Sequence, residues 1–284
     1  MPEIRTHGED EHDSAYAGLL VNDAHWAFGT DFEDPLAGVD TTVPEGVDAA
    51  ELASYCLALG DDALVLSQRL SEWRSRAPDL EEDIALANIA LDLLGQARLL
   101  LARAAAADPT LVPALPEGSP VPAEDALAFF RDDRDFRNVC LVELPNGDFA
   151  ETVCRVLVFA THRLALFQRL AEHPDAVLRA VAAKGVKELA YHRDFAGRWF
   201  LTLAGGTEES RRRLEDGLAR VWAYRHELGP DEEADAVLDQ VLATSGVPAP
   251  DVRPVRTGGR HTEHLSRLLA EMQVVARAHP MGLW

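Results

Sequence analysis

The stretch Pro78 to Ala107, PDLEEDIALANIALDLLGQARLLLARAAAA, constrains this chain more than any other. Ala and Leu dominate it, and only Gly95 interrupts the run of helix formers. Asp79, Glu81, Glu82 and Asp83 lie at its start, and Arg98 and Arg103 lie towards its end. Both choices suit the dipole of a helix running in that direction. Apolar side chains cover nearly its whole circumference, which predicts a central helix with neighbours on every side. One polar line breaks that coat: Asn88, Asp92 and Gln96, at i, i+4 and i+8. The spacing puts the three on one face.

The remaining chain supplies the wrapping. Leu52, Tyr55, Leu59, Leu66 and Leu70 give helical spacing over Val47 to Arg74, with Gly60-Asp61-Asp62 as a local bend. A proline-rich linker, Asp108 to Pro122, precedes a shorter helix over Glu124 to Arg137. Two more long helices follow. Phe149 to Glu172 starts behind Asp148, and Ala176 to Ala204 starts behind Asp175. Further helices are predicted over Thr207 to Leu228, Asp231 to Thr244 and Thr262 to Ala278. No credible strand run stands outside these patterns, so the chain reads as all-α. Four long helices in the order pair, crossover, pair, with additional C-terminal helices, are the plan of a ferritin-like bundle. That domain spans 47–284. Residues 1–46 are acidic, weakly periodic and read as an extension, partly disordered.

Charge narrows the function classes. A net charge of −21 is wrong for a nucleic-acid binder. No uninterrupted apolar run is judged long enough for a bilayer, and the N-terminus lacks a basic-then-apolar leader, so a soluble, cytoplasmic chain is expected. Cys56, Cys140 and Cys154 have no zinc spacing and read as buried thiols.

A ferritin-like bundle commonly carries a di-iron centre, built from one Glu on each of two helices and Glu-x-x-His on each of the others. Each His of the helical region lacks an acid three residues earlier: His162 follows Phe159, His192 follows Leu189, His226 follows Ala223 and His264 follows His261. Only Glu9 and His12 match the spacing, and they lie in the extension. The nearest constellation is Glu188, Tyr191 and His192, with Tyr where a ligand His belongs. With Asp92 and His162 these residues are the candidates for a vestigial site. Two readings stay open: a shifted metal site, or buried hydrogen bonds in its former place, the second being favoured. Asn88, Asp92 and Gln96 would then satisfy one another or bond to Arg155 or His162. His261 and His264 could share a face as metal ligands, although Thr262 and Glu263 also suit a helix start. Arg256-Thr257-Gly258-Gly259-Arg260 could hold a phosphate or serve only as a turn, and it lacks a P-loop ending. No nucleophile elbow or dinucleotide fingerprint is found.

Several blocks in one order resemble a known family. They are Leu59-Gly60-Asp61-Asp62, the stretch Leu64 to Trp73, Ala77 to Arg98, Glu143-Leu144-Pro145-Asn146-Gly147-Asp148-Phe149-Ala150, Lys187-Glu188 with Tyr191-His192, Arg256-Thr257-Gly258-Gly259, His261-Thr262-Glu263-His264-Leu265 and Ala270-Glu271-Met272-Gln273. The chain from Tyr55 onward resembles the PaaC family, the C-type subunits of phenylacetyl-CoA epoxidase. The resemblance implies a structural subunit of a monooxygenase of aerobic phenylacetate degradation, with no catalytic, cofactor or metal residues of its own. It implies a catalytic A subunit holding the di-iron centre, other complex subunits, and a separate reductase with NADPH, FAD and iron–sulfur. A homodimer stays open for the isolated chain, and so does an autonomous ferritin-like metalloprotein with an altered site.

Overall fold

The computed structural model describes Leu36 and residues 38–282. Contacts divide the chain between Val39 and Asp40, and the body discussed below is the second unit. Most of the expected extension, with Glu9 and His12, lies outside the described residues.

The described residues are all helical, with nine α-helices and no strand. The four long ones are α1 (Ala49–Ser71), α2 (Leu80–Ala107), α5 (Phe149–Leu170) and α6 (Ala176–Ala204). Each begins behind an aspartate whose carboxylate accepts from first-turn amides: Asp48, Asp79, Asp148 and Asp175. A cap of this kind is worth about 1 kcal/mol. Between the pairs run α3 (Ala123–Phe129), a 3₁₀ turn at Asp133–Asp135 and α4 (Cys140–Glu143). After them come α7 (Glu208–Trp222), α8 (Glu232–Ser245) and α9 (Glu263–Ala278).

Cross-helix bonds fix the directions. Asp92 meets His192, Gln96 meets Glu188 and Arg103 meets Asp175, so α2 and α6 are antiparallel. Asp62 meets Arg163 and Trp73 meets Thr152, so α1 and α5 are antiparallel too. The helices therefore follow one another around the bundle as α1, α2, α6, α5, and the connection from α2 to α5 travels the bundle's length. This is the ferritin-like plan.

The helix α1 runs through Gly60-Asp61-Asp62 as one continuous helix. Gly60 is there for close packing: a Cβ on it would stand 3.0 Å from Leu101 of α2. The expected helix over Glu124 to Arg137 stops at Phe129. Beyond it Arg131 turns inward to Asp61, and the Asp-rich run Asp132 to Asp135 closes its own turn, with Asp135 accepting from the Asp132 amide at 3.3 Å. All three cysteines are buried and free.

The larger correction concerns α2, which is not surrounded. Leu86, Ile89, Leu93, Ala97, Leu100 and Leu101 are buried. Leu80 is 68% exposed and Leu91 63%, and Ile84 and Leu94 are exposed beside them. Its apolar coat serves two faces, one packed and one bare. For that reason α2, alone among the described helices, is long and apolar enough to cross a membrane by composition, although less than half of that stretch is buried in the bundle. As expected from sequence, the stretch is not an uninterrupted apolar run: Asn88, Asp92, Gln96, Arg98 and Arg103 break it.

Candidate functional site

The polar line of α2 twists into the bundle as it goes. Asn88 is exposed, Asp92 is 35% exposed at its side chain, and Gln96 is buried. Their partners come from α6, not from Arg155 or His162 of α5. His192, only 2% exposed, places Nε2 3.0 Å from Asp92 Oδ2. Gln96 Nε2 donates to Glu188 Oε2 at 2.9 Å. Lys184 Nζ donates to the other oxygen, Oε1, at 2.5 Å. Both oxygens of Glu188 are thus engaged inside the chain.

The other candidates stand apart. Tyr191 is 47% exposed and turns away from this cluster, its ring centroid 6.3 Å from that of His192. The His162 Nδ1–H donates to its own helix at Val158 O, 3.0 Å away, and its Nε2 faces Asp235 of α8 at 3.7 Å. Burial holds its pKa below the ordinary imidazole value, so the ring is neutral at pH 7. Arg155 donates to Leu144 O and to Asn146 Oδ1 in the loop before α5. Burial lowers its pKa to about 10.

The space between α5 and α6 beside Gln96 is filled by Phe167. A Cβ on Gly185 would stand 2.6 Å from that ring and 3.5 Å from Gln96 Cδ. Arg163 lies over Phe159 and Phe167, 5.0 and 5.6 Å from their centroids, and bonds to Asp62 at 2.9 Å. Burial pushes the Asp62 carboxyl up to about 6 against the pull of Arg163, and the Val139 amide also binds it at 2.8 Å. A di-iron centre needs several converging free carboxylates and two imidazoles. Glu188 is held by an ammonium and an amide, Asp62 by a guanidinium, and a phenyl ring occupies the gap. The donor set does not fit.

His261 and His264 do not form a metal pair. His261 Nδ1 is 3.0 Å from Glu143 Oε2, and its Nε2 is 2.8 Å from Phe136 O. His264 uses its backbone instead: Thr262 caps its amide, and Arg69 Nη2 donates to its carbonyl at 3.2 Å. In the 256–260 stretch, Gly258 and Gly259 take positive φ, and the Arg260 amide closes onto Thr257 O at 3.3 Å, as in a turn. Among the described residues, three ligand-type side chains converge at Asp79, Glu81 and Glu82, at the exposed start of α2.

Sequence reasoning missed the buried charges Asp61, Asp62, Arg131 and Glu143. The signal was an acidic pair inside an apolar helix, at Asp61-Asp62.

A family model described as "Phenylacetic acid catabolic protein" matches residues 38–245. The chain belongs to this family. Within it, the C-type subunit of 1,2-phenylacetyl-CoA epoxidase from Escherichia coli (strain K12) is 40% identical over 257 residues, covering 82% of this chain and 99% of the relative. The family match spans α1 to α8 and includes the whole α2–α6 cluster.

That cluster makes a direct prediction. Asp92→Leu leaves His192 Nε2 without its partner at a buried position and costs about 1–3 kcal/mol in urea unfolding. Asp92→Leu combined with His192→Leu recovers most of the loss. A change near zero for the single variant would place the pair in water.

Proposed function

We propose that this chain is the C-type subunit of a phenylacetyl-CoA 1,2-epoxidase, a structural partner that carries out no oxidation itself. The reading puts the di-iron centre in an A-type subunit of the same complex. Electrons come from NADPH through a separate reductase bearing FAD and iron–sulfur, and the assembly works in the cytoplasm. The similarity to the C-type subunit of an epoxidase supports the choice of complex. The observation that carries the non-catalytic role is the state of Glu188, whose two oxygens are spent on Lys184 and Gln96. A carboxylate held this way has no free oxygen of its own to offer a metal.

Two measurements test the reading. The purified chain, analysed by mass spectrometry for metals, is expected to hold only trace iron or manganese. Near-stoichiometric metal would overturn the non-catalytic role in favour of an autonomous metalloprotein. Co-expressed with an A-type subunit bearing paired Glu-x-x-His motifs, the chain is expected to co-elute with it from a sizing column. Separate elution at micromolar concentration would overturn the pairing.

A further inference from the structure

The last helix, α9, packs on α3, on the 133–135 turn and on α4, all parts of the crossover. Its buried stripe is narrow: Leu265, Leu268, Leu269 and Gln273. From it the short helix α3 receives what its own sequence lacks. A helix leaves its last four carbonyls without intrahelical partners, and a glycine just beyond the end commonly closes it. Here the chain continues as Phe130, Arg131 and Asp132. The Phe130 amide donates to Ala126 O at 3.0 Å, and Arg131 Nε donates to Leu127 O at 2.6 Å. The last two carbonyls are taken by α9. Gln273 Nε2 donates to Ala128 O at 3.1 Å, and Arg277 Nε donates to Phe129 O at 3.2 Å. The same two side chains also hold Arg131 O, at 3.1 and 2.7 Å.

The seven residues of α3 are too few for a helix to hold itself in water. It depends on its neighbours: α2, where Glu124 stands 3.7 Å from Arg98, and α9. The dependence runs both ways, since the buried amide of Gln273 donates to the end of α3. Just ahead of α9 stands the clasp of His261 and Glu143. Its ring lies between Glu143 Oε2 at 3.0 Å and Phe136 O at 2.8 Å, and neither partner belongs to α3. The charges facing the ring are Glu143 of α4, Asp133 of the turn and Asp61 of α1, the last held by Arg131. Beyond α9, Ser119 Oγ donates to Pro280 O at 2.6 Å and fixes the far end to the linker.

We propose that residues 261–282 are a strap over the crossover, that α9 and α3 open together as one unit before the bundle unfolds, and that the His261–Glu143 pair is the latch. Units of this kind open below the global unfolding energy when few buried apolar contacts hold them. Opening uncovers the part of α2 that lies under α3, so the strap sets how far the bare face of α2 extends. Both ring nitrogens of the latch meet acceptors, which calls for the imidazolium. The latch therefore slackens as pH rises and the ring loses its proton.

Hydrogen exchange of the full-length chain, read by mass spectrometry and corrected for the intrinsic effect of pH, tests the strap. Gln273→Met keeps the apolar stem and removes the donors. It is expected to speed exchange in α3 and α9 about tenfold, the scale of losing a buried hydrogen bond, with α1 and α5 unchanged. His261→Gln is expected to speed the same two helices by a common factor, although His261 lies outside both. Taking the wild type from about pH 6 to 9 is expected to act alike, and His261→Gln to abolish that response. Wild-type exchange rates in α3 in either variant overturn the strap, since α9 then does not hold the crossover. Equal acceleration of α1 and α5 overturns it too, because the chain then opens only as a whole. A pH response that survives His261→Gln overturns the latch.

Discussion

Asp61→Ala lowers the unfolding free energy by about 3–5 kcal/mol, because it strands a buried guanidinium. Asp61 and Arg131 are both buried. Arg131 Nη1 reaches Asp61 Oδ2 at 3.0 Å, its Nη2 reaches Oδ1, and the Arg137 amide adds a third bond at 2.9 Å. Arg131 also donates to Leu127 O and Asp135 O, and it covers the ring of Phe136, 4.3 Å from its centroid. It therefore gathers the crossover into one knot and ties that knot to the middle of α1. Without Asp61 the charge has no counterion and little water. The paired replacement Asp61→Leu with Arg131→Met removes both charges, and it is expected to recover most of the loss, since apolar substitutes for a buried pair are often neutral. Urea unfolding of the single and double variants gives both numbers. A single variant within about 1 kcal/mol of wild type would show that water reaches Arg131. The knot also sets what the crossover covers. Asp61, Asp62 and Ser54 of α1 take bonds from Arg131, Val139 and Arg137, so this part of the crossover lies on α1. The outer face of α2 ahead of Arg98 is left bare.

The plan of the bundle was legible because it is written in periodicity and punctuation. Asp148 and Asp175 ahead of two apolar runs mark two helix starts, and Pro109 to Pro122 can only be a connection. The missing Glu-x-x-His spacing was equally legible, since ligand spacing on a helix is a property of the chain alone. What could not be read was which face of an all-apolar helix is covered. Leu91 and Leu93 look alike in sequence, yet one is 63% exposed and the other fully buried. Periodicity reports that a helix has apolar faces, but it does not report whether a neighbour comes from the same chain. The partners of buried charges were hidden for a related reason. Asp61 and Arg131, or Glu143 and His261, meet only after the crossover and the last helix have docked, across 70 and 118 residues. His162 and Asp92 were grouped because both are polar points on long helices, but rotation about the helix axis sends one towards α8 and the other towards α6.

The second large effect belongs to the clasp on the last helix. Glu143 is buried, and its carboxylate accepts from His261 Nδ1 at 3.0 Å, from the Thr262 amide at 2.5 Å and from Asn138 Nδ2 at 3.1 Å. His261 Nε2 faces Phe136 O at 2.8 Å, and a carbonyl can only accept. Both ring nitrogens meet acceptors, so the arrangement calls for the imidazolium. The hydrogen bond to Glu143 raises the His261 pKa, against the opposing effect of burial, and Phe136 O and the charge of Asp61 add to the rise. Burial pushes Glu143 up, yet the donors from His261, Thr262 and Asn138 outweigh it and hold the carboxyl below its ordinary range. Asp133, on the neighbouring turn, also faces the imidazolium. Glu143→Ala is expected to cost about 3–5 kcal/mol, the range for removing one partner of a buried pair. The pH dependence follows from the two directions. A raised His contributes stability that is complete below the ordinary imidazole value, about 6.5, and is lost as pH rises through the folded value. A depressed Glu contributes stability that is present above about 4.3 and is lost as pH falls through the folded value. The clasp is therefore tightest between those two ordinary values and loosens towards alkaline pH. Unfolding free energies of wild type and His261→Gln, measured from about pH 6 to 9 to bracket the imidazole titration, are expected to converge as pH rises. A gap that stays constant across that interval would show a neutral ring held by packing alone.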